Sequence, residues 1–112
     1  MEKRPWGTYE VLAEDGSYKV KRIIVKPAQR LSYQTHEKRV EYWTIVQGHG
    51  IITLEGEDKA IKTGDAVYID KGDPHRIQNL GESDLVFIEV QLGDYLGEDD
   101  IVRLEDDYNR VS

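Results

Sequence analysis

The sequence predicts an all-β domain, a sandwich or barrel of short antiparallel strands. Three observations carry this reading. The first two are short runs rich in β-branched residues, and glycines at 48, 56, 64, 72 and 81 that separate those runs at intervals of eight or nine residues. The third is that no helical pattern of about 10–15 residues lies between the runs to build parallel crossover units.

Taken in order, the first run is Tyr18–Val25, where basic and apolar residues alternate with the period of a half-buried strand. Later runs cover residues 41–47, 50–54, 59–62, 66–69, 75–79 and 84–91, and antiparallel pairing through the glycine turns follows. The tail reads differently. Residues 97–105 place three acids early, where a helix dipole favours them, and apolar residues at 101 and 104, so a short C-terminal helix is expected.

A chain of 112 residues, 38% hydrophobic and 33% charged, is expected to form one domain over 1–112 with one core. Its 22 acids against 15 bases leave a net charge of -7, which disfavours nucleic acid as a partner because phosphate neutralisation needs the opposite sign. Cysteine is absent, excluding disulfides, thiolate metal sites and cysteine nucleophiles. No apolar run approaches the ~20 residues of a membrane span, and the opening residues lack a signal peptide's apolar stretch, so a cytoplasmic location without membrane contact is expected.

The chemistry-bearing residues gather around two histidines. Gln34 and His36 project to one face of an extended segment, and Glu41 can return to that face, while His75 follows in a GlyAspProHis turn. Two imidazoles, a carboxylate and an amide oxygen form a donor set for a divalent ion such as Zn²⁺, Mn²⁺, Co²⁺ or Fe²⁺, with Mg²⁺ also in range. On spacing alone, a histidine and a glutamate five residues apart in a charged loop are mostly solvated surface groups. His49 reads as an exposed turn residue, and Trp6, Trp43 and Tyr68 as core or interface residues.

Residues 28–41, from Ala28-Gln29-Arg30-Leu31 to His36-Glu37-Lys38-Arg39-Val40-Glu41 and on to Gly48, resemble the first motif of the cupin superfamily. Ala28 stands where glycine is usual, and Gln34 where the first histidine is usual. Gly64 with Asp70-Lys71-Gly72-Asp73-Pro74-His75 and Asn79 resembles the second motif, Asp70 replacing a proline. The resemblance narrows to the type II mannose-6-phosphate isomerase domain through ArgProTrpGly at 4–7, TyrLysValLysArgIle at 18–23, GluTyrTrp at 41–43, IleGluValGlnLeuGlyAspTyrLeu at 88–96 and the stretch 99–110. Tyr42 departs from the histidine often found there.

That resemblance implies a jelly-roll, double-stranded β-helix barrel with Gln34, His36, Glu41 and His75 as metal ligands. It implies an aldose-ketose isomerase that interconverts mannose 6-phosphate and fructose 6-phosphate, with a phosphosugar as its small-molecule partner. Proton transfer between adjacent carbons needs a base beyond the ligand Glu41, and Glu89 is the candidate, with Gln91 on the same strand face as a substrate contact. On the alternation rule Glu89 equally well faces solvent while Val86, Ile88 and Val90 fill the core. The phosphate needs cations. Arg22 shares a strand face with Val20 and Ile24 and is expected to point inward, with Lys19 and Lys21 outward; Arg103, in the tail helix, is expected at the barrel mouth with a catalytic role. The arm bearing Trp6 is expected to pack on a second copy, giving a homodimer. A non-catalytic metal- and sugar-binding cupin module is the alternative, and a dioxygenase or sugar epimerase a weaker third.

Overall fold

The structure, a computed structural model, describes residues 1–108. Asn109 and Arg110, the last residues of the family-like tail, lie outside the described part. Strands run in the order β1 (Glu2–Arg4), β2 (Gly7–Asp15), β3 (Tyr18–Val25), β4 (Tyr33–Thr35), β5 (Arg39–Gln47), β6 (His49–Leu54), β7 (Glu57–Lys62), β8 (Ala66–Ile69), β9 (His75–Asn79), β10 (Leu85–Gly93) and β11 (Val102–Glu105). They form two sheets, β1-β2-β3-β10-β5-β8 and β11-β4-β9-β6-β7.

The strands form where the residues alternate. In β3 and β5 every second side chain is buried, and β10, flanked by β3 and β5, turns Leu85, Phe87, Glu89 and Gln91 inward. Between the sheets lie Ile23, Val25, Ile45, Ile52, Ile77 and Phe87, all nearly inaccessible. Gly48 turns β5 into β6 at a φ of +89°, and a Cβ there would stand 2.9 Å from the Asp84 carbonyl oxygen, so only glycine fits without strain.

One expectation is corrected. The C-terminal helix does not form: Val102 and Arg103 pair antiparallel with Thr35 and Gln34, so the tail completes the second sheet as β11. The reason is tertiary, since β4 meets β9 through the single pair Gln34↔His75 and its other edge would otherwise leave backbone groups unpaired. The N-terminal arm packs on its own chain. β1 and β2 fold back on β3, and Trp6, 7% exposed, belongs to this chain's own core. No helix among the described residues is long and apolar enough to cross a membrane.

Candidate metal centre

The inner face of the larger sheet changes character along its strands. Rows across β3, β10 and β5 read Ile23–Phe87–Ile45 at the apolar end, then Lys21–Glu89–Trp43, then Lys19–Gln91–Glu41. Opposite, Gln34 pairs in register with His75, and Ile77 lies two residues further along β9. The polar end of one sheet therefore faces the polar end of the other, over a cavity of about 100 Å³. Gln34, His36, Glu41 and His75 all line it.

Both histidines are fixed in the same tautomer by backbone carbonyls. Nδ1 of His36 lies 2.6 Å from the Asp100 carbonyl oxygen and Nδ1 of His75 lies 2.8 Å from that of Asp73. A carbonyl only accepts, so each Nδ1 carries the hydrogen and each Nε2 presents a lone pair. Those Nε2 atoms converge on one carboxylate: His36 to Glu41 is 3.3 Å and His75 to Glu41 is 3.9 Å. Burial, with the charge of Arg39 and the neighbouring His75, pushes the His36 imidazole down to about 4, and burial likewise pushes His75 down. Both rings are thus held in the neutral form that a cation needs.

The donor set fits a divalent ion. His36, Glu41 and His75 offer ligand atoms within 4.8 Å of one another, all from buried residues. His75 Nε2 has no hydrogen-bond partner among the described residues, a deficit a bound cation removes. Arg39 supplies positive charge to the same group, its Nε donating to Glu41 at 2.7 Å and its Nη2 lying 3.3 Å from His36 Nε2. Behind this layer the Trp43 indole N–H is shared by Glu41 at 3.0 Å and Glu89 at 3.1 Å. Burial, with the charge and hydrogen bond of Glu41, pushes Glu89 up to about 8, so it holds its proton at neutral pH.

The structure distributes the remaining sequence-derived residues unevenly. Glu89 faces inward, 4% exposed, so the solvent-facing alternative is set aside. Gln91, expected to touch substrate, is fully buried behind the cavity wall and donates to Glu89 at 2.6 Å; it does not reach the cavity. Arg22 is corrected outright: it lies on the outer face, exposed and ion-paired with Glu10, while Lys19 and Lys21 point inward at 8% and 4% exposure. Both faces of β3 carry apolar and cationic residues, so alternation alone could not orient it. Arg103 does line the cavity, from a strand and not a helix. His49 is exposed, as expected. Sequence reasoning passed over Lys21, Arg39 and Asp100; the buried Asp100 accepts hydrogen bonds from the Glu37 and Lys38 amides at 3.0 Å each.

Two facing antiparallel sheets around a buried His/Glu/His set define a cupin, the double-stranded β-helix class. The overall shape agrees with an uncharacterised conserved protein with a double-stranded β-helix domain from Klebsiella pneumoniae, at TM-score 0.81 and 20% identity over 95% of this chain and 90% of that one. Residues 2–106 match the family described as mannose-6-phosphate isomerase C-terminal, and the chain belongs to that family.

Among curated proteins, the mannose-1-phosphate guanylyltransferase ManC of Salmonella typhimurium is 45% identical over 96% of this chain and 22% of its own length. The alginate biosynthesis protein AlgA of Pseudomonas aeruginosa is 44% identical over 97% of this chain and 23% of its own. The chain spans less than a quarter of the length of these relatives. This overturns one expectation from the sequence: a stand-alone mannose-6-phosphate isomerase is not supported, because the matching region is a small part of longer relatives, of which ManC is named for guanylyl transfer and AlgA for alginate biosynthesis.

Proposed function

We propose that the chain is a metal-centred binding domain. It takes one divalent ion on His36, Glu41 and His75, with Gln34 completing the donor set, and holds a phosphosugar in the cavity over that ion. The observation that supports this best is the pair of buried, neutral histidines whose Nε2 atoms are aimed at one carboxylate by hydrogen bonds from Nδ1 to backbone carbonyls. The phosphosugar class is supported by family membership.

The bound ion would supply a positive charge that polarises sugar oxygens. The protein supplies the rest. Asp100 and Asp73 orient the imidazoles, Trp43 positions Glu41, Glu89 stores a proton one hydrogen bond behind the cavity wall, and Arg103 places a cation on the rim.

Metal analysis after reconstitution with Co²⁺ or Mn²⁺ tests the reading, with one ion per chain expected. His36→Ala and His75→Ala should each lose the ion, His49→Ala should keep it, and mannose 6-phosphate should perturb the visible spectrum of the Co²⁺ form. Equal metal content in His36→Ala and the unaltered protein defeats the reading.

A further inference from the structure

The cavity is lined by cations as well as by its histidines, among them Arg4, Lys21 and Arg39. Lys21 is 4% exposed and reaches the cavity from β3, with its Nζ 4.2 Å from the centre of the Tyr9 ring. Arg39 is 5% exposed, and its Nη1 has no hydrogen-bond partner among the described residues. Arg4 lies beside them, 4.9 Å from the same Tyr9 ring and bonded to its hydroxyl at 3.1 Å. A buried lysine and a buried guanidinium with an unused donor are costly unless an anion completes them.

An anion is already present, and it belongs to the chain. The Glu98 carboxylate, on the segment between β10 and β11, hydrogen-bonds Lys21 and comes within 4.0 Å of Lys19. Burial would push Glu98 up, yet the charge and hydrogen bond of Lys21, with Arg39 and Lys19, hold it below the usual carboxylate range. Its neighbours are anchored on both sides: the Leu96 carbonyl accepts from Lys19 at 3.0 Å, and the Asp100 carboxylate caps the Glu37 and Lys38 amides. Glu98 itself remains 44% exposed at the side chain. With Glu98 inward the cavity holds about 100 Å³; ligand pockets begin near 300 Å³.

We infer that Lys21 and Arg39 form an anion subsite for the phosphate of the bound sugar, and that Glu98 fills it as a displaceable internal carboxylate. The ligand phosphate competes with Glu98 for Lys21, so the resting domain is self-neutralised and anion affinity is set by how readily Glu98 leaves. This rests on the reading of the cavity as a phosphosugar site.

The test titrates inorganic phosphate, uncharged mannose and Co²⁺ separately into the full chain and its variants. Glu98→Gln should bind phosphate about fivefold to tenfold more tightly, because the competitor's charge is gone while its shape remains. Lys21→Met should bind it at least about tenfold more weakly. Glu14→Gln, which removes an acid 3.4 Å from Lys19, should leave phosphate affinity unchanged. Mannose affinity should be the same in all four proteins. The inference is overturned if Glu98→Gln gains nothing, or if Glu14→Gln gains as much, which would mark a general charge effect. Should Lys21→Met fail to fold, the comparison of Glu98→Gln with Glu14→Gln decides alone. Normal Co²⁺ binding with no gain in Glu98→Gln removes the subsite and leaves the metal reading; the gain without Co²⁺ binding keeps the subsite and removes the metal.

Discussion

The backbone carbonyl of Asp100 accepts the Nδ1 hydrogen of His36 at 2.6 Å, joining residues 64 positions apart, and the Asp100 carboxylate ties down the two amides that follow His36. One residue of the tail thus sets both the tautomer of a candidate ligand and the path of the loop that carries it. Asp100→Ala keeps the carbonyl that orients His36 but removes the carboxylate that holds the Glu37 and Lys38 amides, so the loop carrying His36 loosens and Co²⁺ affinity should weaken by about tenfold. Asp100→Asn, which keeps one acceptor oxygen, should recover part of that loss. Calorimetric titration of the metal checks both.

Metal-free stability should depend on pH with a maximum near 6.5. His36 and His75 titrate lower in the folded chain than their ordinary 6.5, so between about 4 and 6.5 the unfolded chain binds more protons and stability rises with pH. That contribution is complete above 6.5 and is lost as pH falls through the folded values. Glu89 acts the other way. Its pKa rises from 4.5 to about 8, so its contribution is complete below 4.5 and is lost as pH climbs through 8. Thermal melts of metal-free protein from pH 4 to 9 measure the profile, and Glu89→Gln should flatten the decline above 6.5. A profile that keeps rising to pH 9 contradicts the burial assigned to Glu89.

Ala28 occupies a left-handed backbone conformation, φ 64°, on an exposed loop. A non-glycine residue there costs about 1–2 kcal/mol, part of which glycine returns as unfolded-state entropy. Ala28→Gly should therefore stabilise the domain by about 0.5–1 kcal/mol, raising Tm by a few degrees. Differential scanning calorimetry decides, and a lower Tm would refute the strain assigned to Ala28.

Trp6 tests whether the N-terminal arm serves its own chain. At 7% exposure inside the core, its replacement by alanine should cost about 3–5 kcal/mol in urea unfolding, independent of protein concentration. A loss that grows on dilution would instead place Trp6 between two copies.

Much of this molecule follows from local rules. The runs at Tyr18–Val25, Ala66–Ile69 and His75–Asn79 became strands at those positions because side chains two apart share a face, and Gly48 became a turn because its conformation excludes a Cβ. His36, Glu41 and His75 stood out through the resemblance of their segments to the two cupin motifs, and the structure brings their ligand atoms together. What a period of two cannot say is which of two faces is inner. β3 carries Val20 and Ile24 beside Arg22 on one side and Ile23 and Val25 beside Lys21 on the other, and only packing against β10 and the opposite sheet put Lys21 inside and Arg22 out. The tail shows the same limit. Its acids and apolar spacing suit a helix in isolation, but the unpaired edge of β4 and the buried capping role of Asp100 hold it as β11, because a backbone hydrogen-bond partner supplied from a distant part of the chain outweighs a local preference of a few tenths of a kcal/mol per residue.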